Sequence, residues 1–95
     1  MIQSFKDKWL QAYWLKGVVS KKVPAVIATR LLDKLDLISA ARTEQELRCP
    51  PGNKFEHLKG NLHEYCSIRI NQQWRLIFKW QRGKAIDIYL DAHEY

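Results

Sequence analysis

A change of hydrophobic period from about 3.6 to 2 near the middle of the chain predicts an α+β fold, with two helices packed on one face of an antiparallel sheet. Three observations carry that prediction. Ile27, Leu31, Leu35 and Ile38 recur at helical spacing, apolar and polar residues alternate from Tyr65 onward, and the run Cys49-Pro50-Pro51-Gly52 separates the two regimes. The element order read from these signals is β-α-α-β-β-β.

Met1 to Phe5 is short and partly apolar, which suits a first strand. Lys6 to Lys16 places Trp9, Leu10, Tyr13 and Trp14 on one side of an amphipathic helix, and Gly17 supplies its C-terminal stop. After the basic connector VVSKKV, Pro24 suits the first turn of a second helix, because its missing N–H would be unpaired there anyway. The apolar face of that helix runs from Ile27 to about Ala41, and Thr43 to Leu47 either continues it or forms a short turn. Asn53 to Asn61, NKFEHLKGN, has neither strand alternation nor a helical start and reads as a cationic, histidine-bearing loop.

Three strands follow, and their core sets must face one another. In an antiparallel pair, directly opposite residues share a face. A three-residue link Asn71-Gln72-Gln73 puts Ile68 opposite Leu76 and Arg69 opposite Arg75. A three-residue loop Arg82-Gly83-Lys84 puts Phe78 opposite Ile88, Lys79 opposite Asp87 and Arg75 opposite Asp91.

The 95 residues are expected to form one domain, residues 1–95. Hydrophobic residues make up 46% and aromatics 12%, enough for a core without disulfide staples. No apolar run approaches the roughly 20 residues that span a bilayer, and charges interrupt MIQSFKDKWL, so a cytoplasmic protein without a membrane partner is expected. Cys49 and Cys66 lie in no zinc-ligand spacing, so free thiols and no metal are expected.

The formal charge of +6 favours polyanionic partners. Its placement is more informative. Lys54 to Lys84 carries seven bases against two acids, whereas Ala85 to Tyr95 has three acids and no lysine or arginine.

Two arginines directly opposite on a solvent face repel unless they splay apart or hold an anion between them. A phosphate is the anionic candidate, since guanidinium forks match its oxygens and stabilise the added charge of a pentacovalent phosphorus. Asp91 either orients one arginine or makes a plain cross-strand ion pair. Metal-free RNA cleavage by attack of the ribose 2′-OH on the adjacent phosphate needs a base, an acid and cations. His57 in the loop and His93 beyond the last strand are the proton-transfer candidates. Lys54, Lys59, Arg69 and Arg75 are the cations, Lys79 extends their row along the substrate, and Tyr95 is placed to stack on a base or donate a hydrogen bond. His63, in GNLHEY, reads as a surface residue.

The stretches MIQSFKDKW, LRCPPGNKFEHLKGN, SIRINQQWRLIFKW and LDAHEY together resemble the HigB branch of the RelE-type toxins of bacterial toxin-antitoxin systems, over nearly the whole chain. The resemblance implies a RelE-like fold and a ribosome-dependent mRNA endonuclease that needs no metal or other cofactor. It also implies neutralisation by a HigA-like antitoxin with a helix-turn-helix domain, through which the complex reaches operator DNA. By motif match, Lys54, His57 and Lys59 fall in the family's substrate and catalytic loop, Arg75 fits its transition-state cation, and Asp91 and His93 fit its tail positions. Two positions depart from the pattern. Ala92 stands where many relatives carry an aromatic residue between Asp and His, and His57 lies one place from the loop histidine of some relatives.

A second function class is a non-catalytic basic module that acts with its antitoxin on operator DNA or blocks another machine such as DNA gyrase. A phosphate-binding face needs lysines and arginines but no histidine tail, which favours the nuclease. A third reading, in which the basic face docks an acidic antitoxin, is compatible with the first.

Overall fold

The computed structural model describes residues 1–92. Three helices, α1 (Lys8–Lys16), α2 (Ala28–Ala40) and the one-turn α3 (Glu44–Leu47), precede strands β1 (Glu56–His57), β2 (Tyr65–Arg69), β3 (Trp74–Gln81) and β4 (Lys84–Ala92). The sheet order is β1-β2-β3-β4, with every neighbouring pair antiparallel. Leu10 of α1 and Leu31, Leu35 and Ile38 of α2 form one buried cluster with Ile68, Leu76, Phe78 and Ile88, so the helices cover a single face of the sheet. The expected α+β architecture is the one found.

Helix α1 begins two residues later than the sequence pattern suggests. Asp7 does not cap it with its side chain; the carboxylate instead accepts a hydrogen bond from Leu90 N at 3.0 Å, tying the helix start to β4. Gly17 ends α1 in the left-handed region at φ 66°, as expected. Tyr13 Oη donates to Ala28 O at 3.3 Å and Trp14 Nε1 to Asp36 Oδ1 at 3.0 Å, which fixes α1 along α2. The open question after Ala41 resolves as a separate turn, because Thr43 is extended and its Oγ1 accepts from Glu46 N at 3.3 Å as a new N-cap.

Two details of the strands differ from expectation, and one cause connects them. The β3–β4 loop has two residues, not three: Arg82 (φ 54°) and Gly83 (φ 76°) are both left-handed, and Gln81 pairs with Lys84. On that register alone Phe78 would face Asp87. A bulge restores the core parity, since Phe78 is opposed by both Asp87 and Ile88, and beyond it Ile77 pairs with Tyr89 and Arg75 with Asp91. Lys79 therefore pairs with Ile86 instead of Asp87, although its ammonium still lies 3.7 Å from the Asp87 carboxylate. Asp87 adopts φ 56° in the bulge and its N–H donates to Ser4 Oγ at 2.9 Å.

The same bulge interrupts the ladder on the outer edge of β4. Met1 to Phe5 consequently makes two isolated parallel bridges, Ile2 with Ala85 and Phe5 with Ile88, instead of a continuous first strand. At the other edge the loop NKFEHLKGN supplies the two-residue β1, in which Glu56 pairs with Ser67 and His57 with Cys66.

Cys66 lies in the core and its thiol donates to Phe78 O at 3.3 Å. Burial, with the Glu44 carboxylate adding to it, pushes this thiol up to about 12, while Cys49 is exposed. A thiol reagent at pH 8 is expected to modify Cys49 alone in the folded chain, and Cys66 only after denaturation. The folded chain keeps a proton that the unfolded chain releases, so this group's stabilisation is intact below its ordinary value of 9.0 and is lost as pH rises towards 12. Equal labelling of both thiols in native buffer would contradict the buried placement.

Candidate functional site

The loop that delivers the first cation is built around Asn53, which is fully buried. Its Nδ2 donates to Leu47 O at 3.1 Å and to Cys49 O at 3.0 Å, and Lys34 Nζ donates to its Oδ1. Pro51–Asn53 forms a single 3-10 turn, after which Lys54 takes a left-handed conformation at φ 47° and ψ 44°. Phe55 is buried again, with the Arg48 guanidinium 4.8 Å from its ring centre. The chain thus enters β1 with Lys54 exposed between two anchored neighbours.

Strand alternation and the two ladders arrange the helix-free face of the sheet in rows. Arg69, Arg75 and Asp91 form the first row across β2, β3 and β4, with Arg69 directly opposite Arg75. Ser67, Ile77 and Tyr89 form the second, and β1 extends it by pairing Glu56 with Ser67. Tyr65 and Lys79 begin the third. Ile77 is only 1% exposed on this face, where the Tyr65 and Tyr89 rings meet edge to face at 6.0 Å. Burial raises the Tyr89 phenol above its usual range, with Asp91 and Tyr65 adding to the shift, so it stays neutral and able to donate.

A pocket of about 100 Å³ opens at the first row. Lys54, Arg69, Arg75 and Glu56 supply its charged lining, and Ser67, Asn71, Gln72 and Trp74 complete it. Arg75 is largely covered, its side chain 21% exposed; Nε donates to Asp91 Oδ2 at 3.3 Å and Nη1 lies 3.8 Å from Glu56 Oε1. Arg69 Nε donates to Asn71 O at 3.0 Å. Asn71 is itself locked by accepting from Gln73 N and Trp74 N, each at 2.8 Å. Among the described residues no carboxylate pairs with Arg69 or Lys54. The two arginines are tolerated side by side because acids flank one and a turn carbonyl holds the other, leaving a cavity biased towards an anion.

The other sequence candidates fall elsewhere. His57 pairs with Cys66 on the core-facing register; its Nε2 lies 2.7 Å from Glu44 Oε1, and its ring meets Phe55 edge to face at 5.3 Å. It points away from the pocket. Lys59 is exposed beyond β1 and does not line the pocket. Lys79 lies further along the face, 3.7 Å from both Glu64 and Asp87 and 5.3 Å from the Tyr65 ring centre. His93 and Tyr95 lie outside the described residues. Glu56, Ser67, Asn71 and Trp74 were not singled out in the sequence. Only the polar turn composition around Asn71 and the strand alternation of Ser67 carried any signal.

Helices on one face of an antiparallel sheet, with a cationic pocket on the other, are the arrangement expected of the RelE-like toxins. Residues 3–93 match the family described as RelE-like toxin of type II toxin-antitoxin system HigB, and the chain belongs to that family. A protein named Toxin HigB-1, from Vibrio cholerae serotype O1, is 48% identical over 95 residues, the full length of both chains. A protein named Endoribonuclease HigB, from Proteus vulgaris, is 38% identical over 94 residues, covering 98% of this chain and all of its own. An uncharacterized Haemophilus influenzae protein is 37% identical over 93 residues, covering 98% and 92% respectively. Membership in a toxin-antitoxin family implies an antitoxin as partner. Among the described residues no helix is long and apolar enough to cross a membrane.

Proposed function

We propose that this toxin is a ribosome-dependent endoribonuclease that cuts mRNA by attack of the ribose 2′-OH on the adjacent phosphate. The carrying observation is the small pocket in which Arg69, Arg75 and Lys54 face a space the size of a phosphate group. Arg75 has the central role: Asp91 holds its Nε, so that the rest of the fork is oriented for the phosphoryl oxygens. Arg69 and Lys54 hold the scissile phosphate, while Lys59 and Lys79 contact the flanking backbone. His93 delivers a proton to the leaving 5′-oxygen and Tyr95 stacks on a neighbouring base. His57, with its ring against Glu44, contributes to catalysis only if β1 rearranges on the ribosome.

A HigA-like antitoxin with a helix-turn-helix domain neutralises the toxin and carries the pair to operator DNA. A cytoplasmic location follows from these partners. The relative named as an endoribonuclease and the phosphate-sized cationic pocket support this reading together. The purified chain added to a translating extract is expected to produce fragments with 2′,3′-cyclic phosphate and 5′-hydroxyl ends, and to leave the same RNA whole without ribosomes. Arrest of translation with intact mRNA would instead select the non-catalytic binding module.

A further inference from the structure

Attack by the 2′-OH requires a group that can take its proton within reach of the phosphate, and the histidine expected in that role is turned elsewhere. Two residues in a strand point to opposite faces, and β1 is only two residues long. His57 takes the register position paired with Cys66 and holds Glu44; Glu56 takes the one paired with Ser67 and faces the pocket. Three of the other lining side chains are cations with no lone pair to offer, and the amides, the hydroxyl and the indole are not bases. Among the described lining residues Glu56 alone can accept a proton. Asp91 lies beside the pocket, not in it, and is engaged on Arg75 Nε.

Building on the endoribonuclease reading, we infer that Glu56 is the general base of this toxin. Its carboxylate is 63% exposed, so mRNA can reach it, and it lies 3.8 Å from Arg75 Nη1, on the rim of the space where the phosphate would sit. The carboxylate removes the 2′-OH proton as the 2′-oxygen bonds to phosphorus. The phosphorus–5′-oxygen bond breaks, the protonated tail group completes the 5′-hydroxyl, and a cyclic phosphate remains. Glu56 then returns its proton to water. The Arg75 guanidinium serves both partners, steadying the carboxylate before transfer and the phosphorane oxygens during it.

The test is single-turnover cleavage of mRNA on programmed ribosomes between about pH 5 and 9, using the full chain and the variants Glu56→Gln, Glu56→His and Arg75→Ala. Glu56→Gln keeps a hydrogen-bond acceptor for Arg75 but cannot take the proton, and should slow cleavage at least about a hundredfold with ribosome binding intact. Glu56→His should recover part of the rate, with the acidic limb of its pH profile moved upward. The inference is overturned if Glu56→Gln cuts within about threefold of wild type, or if both Glu56 variants are slowed alike with an unmoved profile, which would mark a positioning role through Arg75. If Glu56→Gln gives either of those results while wild type still cuts and Arg75→Ala does not, only the base assignment falls and the endoribonuclease reading stands. If wild type cuts nothing, the endoribonuclease reading falls and takes this inference with it.

Discussion

Replacing Arg75 by Ala is expected to abolish growth arrest and to slow mRNA cleavage by at least about a hundredfold, the usual loss when one donor to a developing oxyanion is removed. The folded chain should survive. Arg75 contributes a partly exposed ion pair with Asp91 and a longer one with Glu56, and Leu76 and Phe78 carry the core function of the same strand. Arg75→Lys should restore little, because an ammonium cannot hold Asp91 through one nitrogen while presenting a planar fork to the phosphate. Cleavage rates on programmed ribosomes beside melting curves separate chemistry from folding. A toxic Arg75→Ala with unchanged cleavage ends would refute the central role given to this residue.

The largest structural effect is expected at Asn53. Asn53→Ala should destabilise the fold by about 2–4 kcal/mol, because two carbonyls, Leu47 O and Cys49 O, lose their donor in a site that water does not reach easily. Lys34 loses an acceptor as well. Burial already holds its ammonium below the usual lysine range, with Asp33 opposing the shift and Arg30 adding to it. The readout is the midpoint of urea unfolding at unchanged slope. Since Lys54 follows directly in a left-handed conformation, a loosened Asn53 should also disperse the pocket. A midpoint equal to wild type would show that the amide does not hold the loop.

Helices α1 and α2 were legible because each announces itself locally. Ile27, Leu31, Leu35 and Ile38 are all fully buried on the face their spacing draws, and Gly17 stops α1 where a left-handed residue is needed. The β2–β3 register was legible too: a three-residue link and core parity together admit Arg69 opposite Arg75. The β3–β4 hairpin was not, because parity constrains only the sum of loop length and bulges. A three-residue loop without a bulge and a two-residue loop with one turn the same side chains, Ile88 and Leu90, to the core beyond the bulge, and differ only before it, where Ala85 takes the core position in place of Ile86. The chain takes the second, in which the Ser4 hydroxyl accepts the N–H of Asp87 from the far end of the chain.

The candidate site divides along the same line. The sequence by itself determined the class of fold, the row of cations on one sheet face and a turn-forming entry ahead of the loop, since periodicity, charge and proline are properties of neighbouring residues. Only the tertiary structure decided which loop side chain faces the pocket. NKFEHLKGN has no alternation of its own, and its pairing with β2 assigns Glu56 to the face with Ser67 and His57 to the face with Cys66. A shift of one residue would exchange them, because side chains alternate across a strand, and that register is set by contacts between segments far apart in the chain.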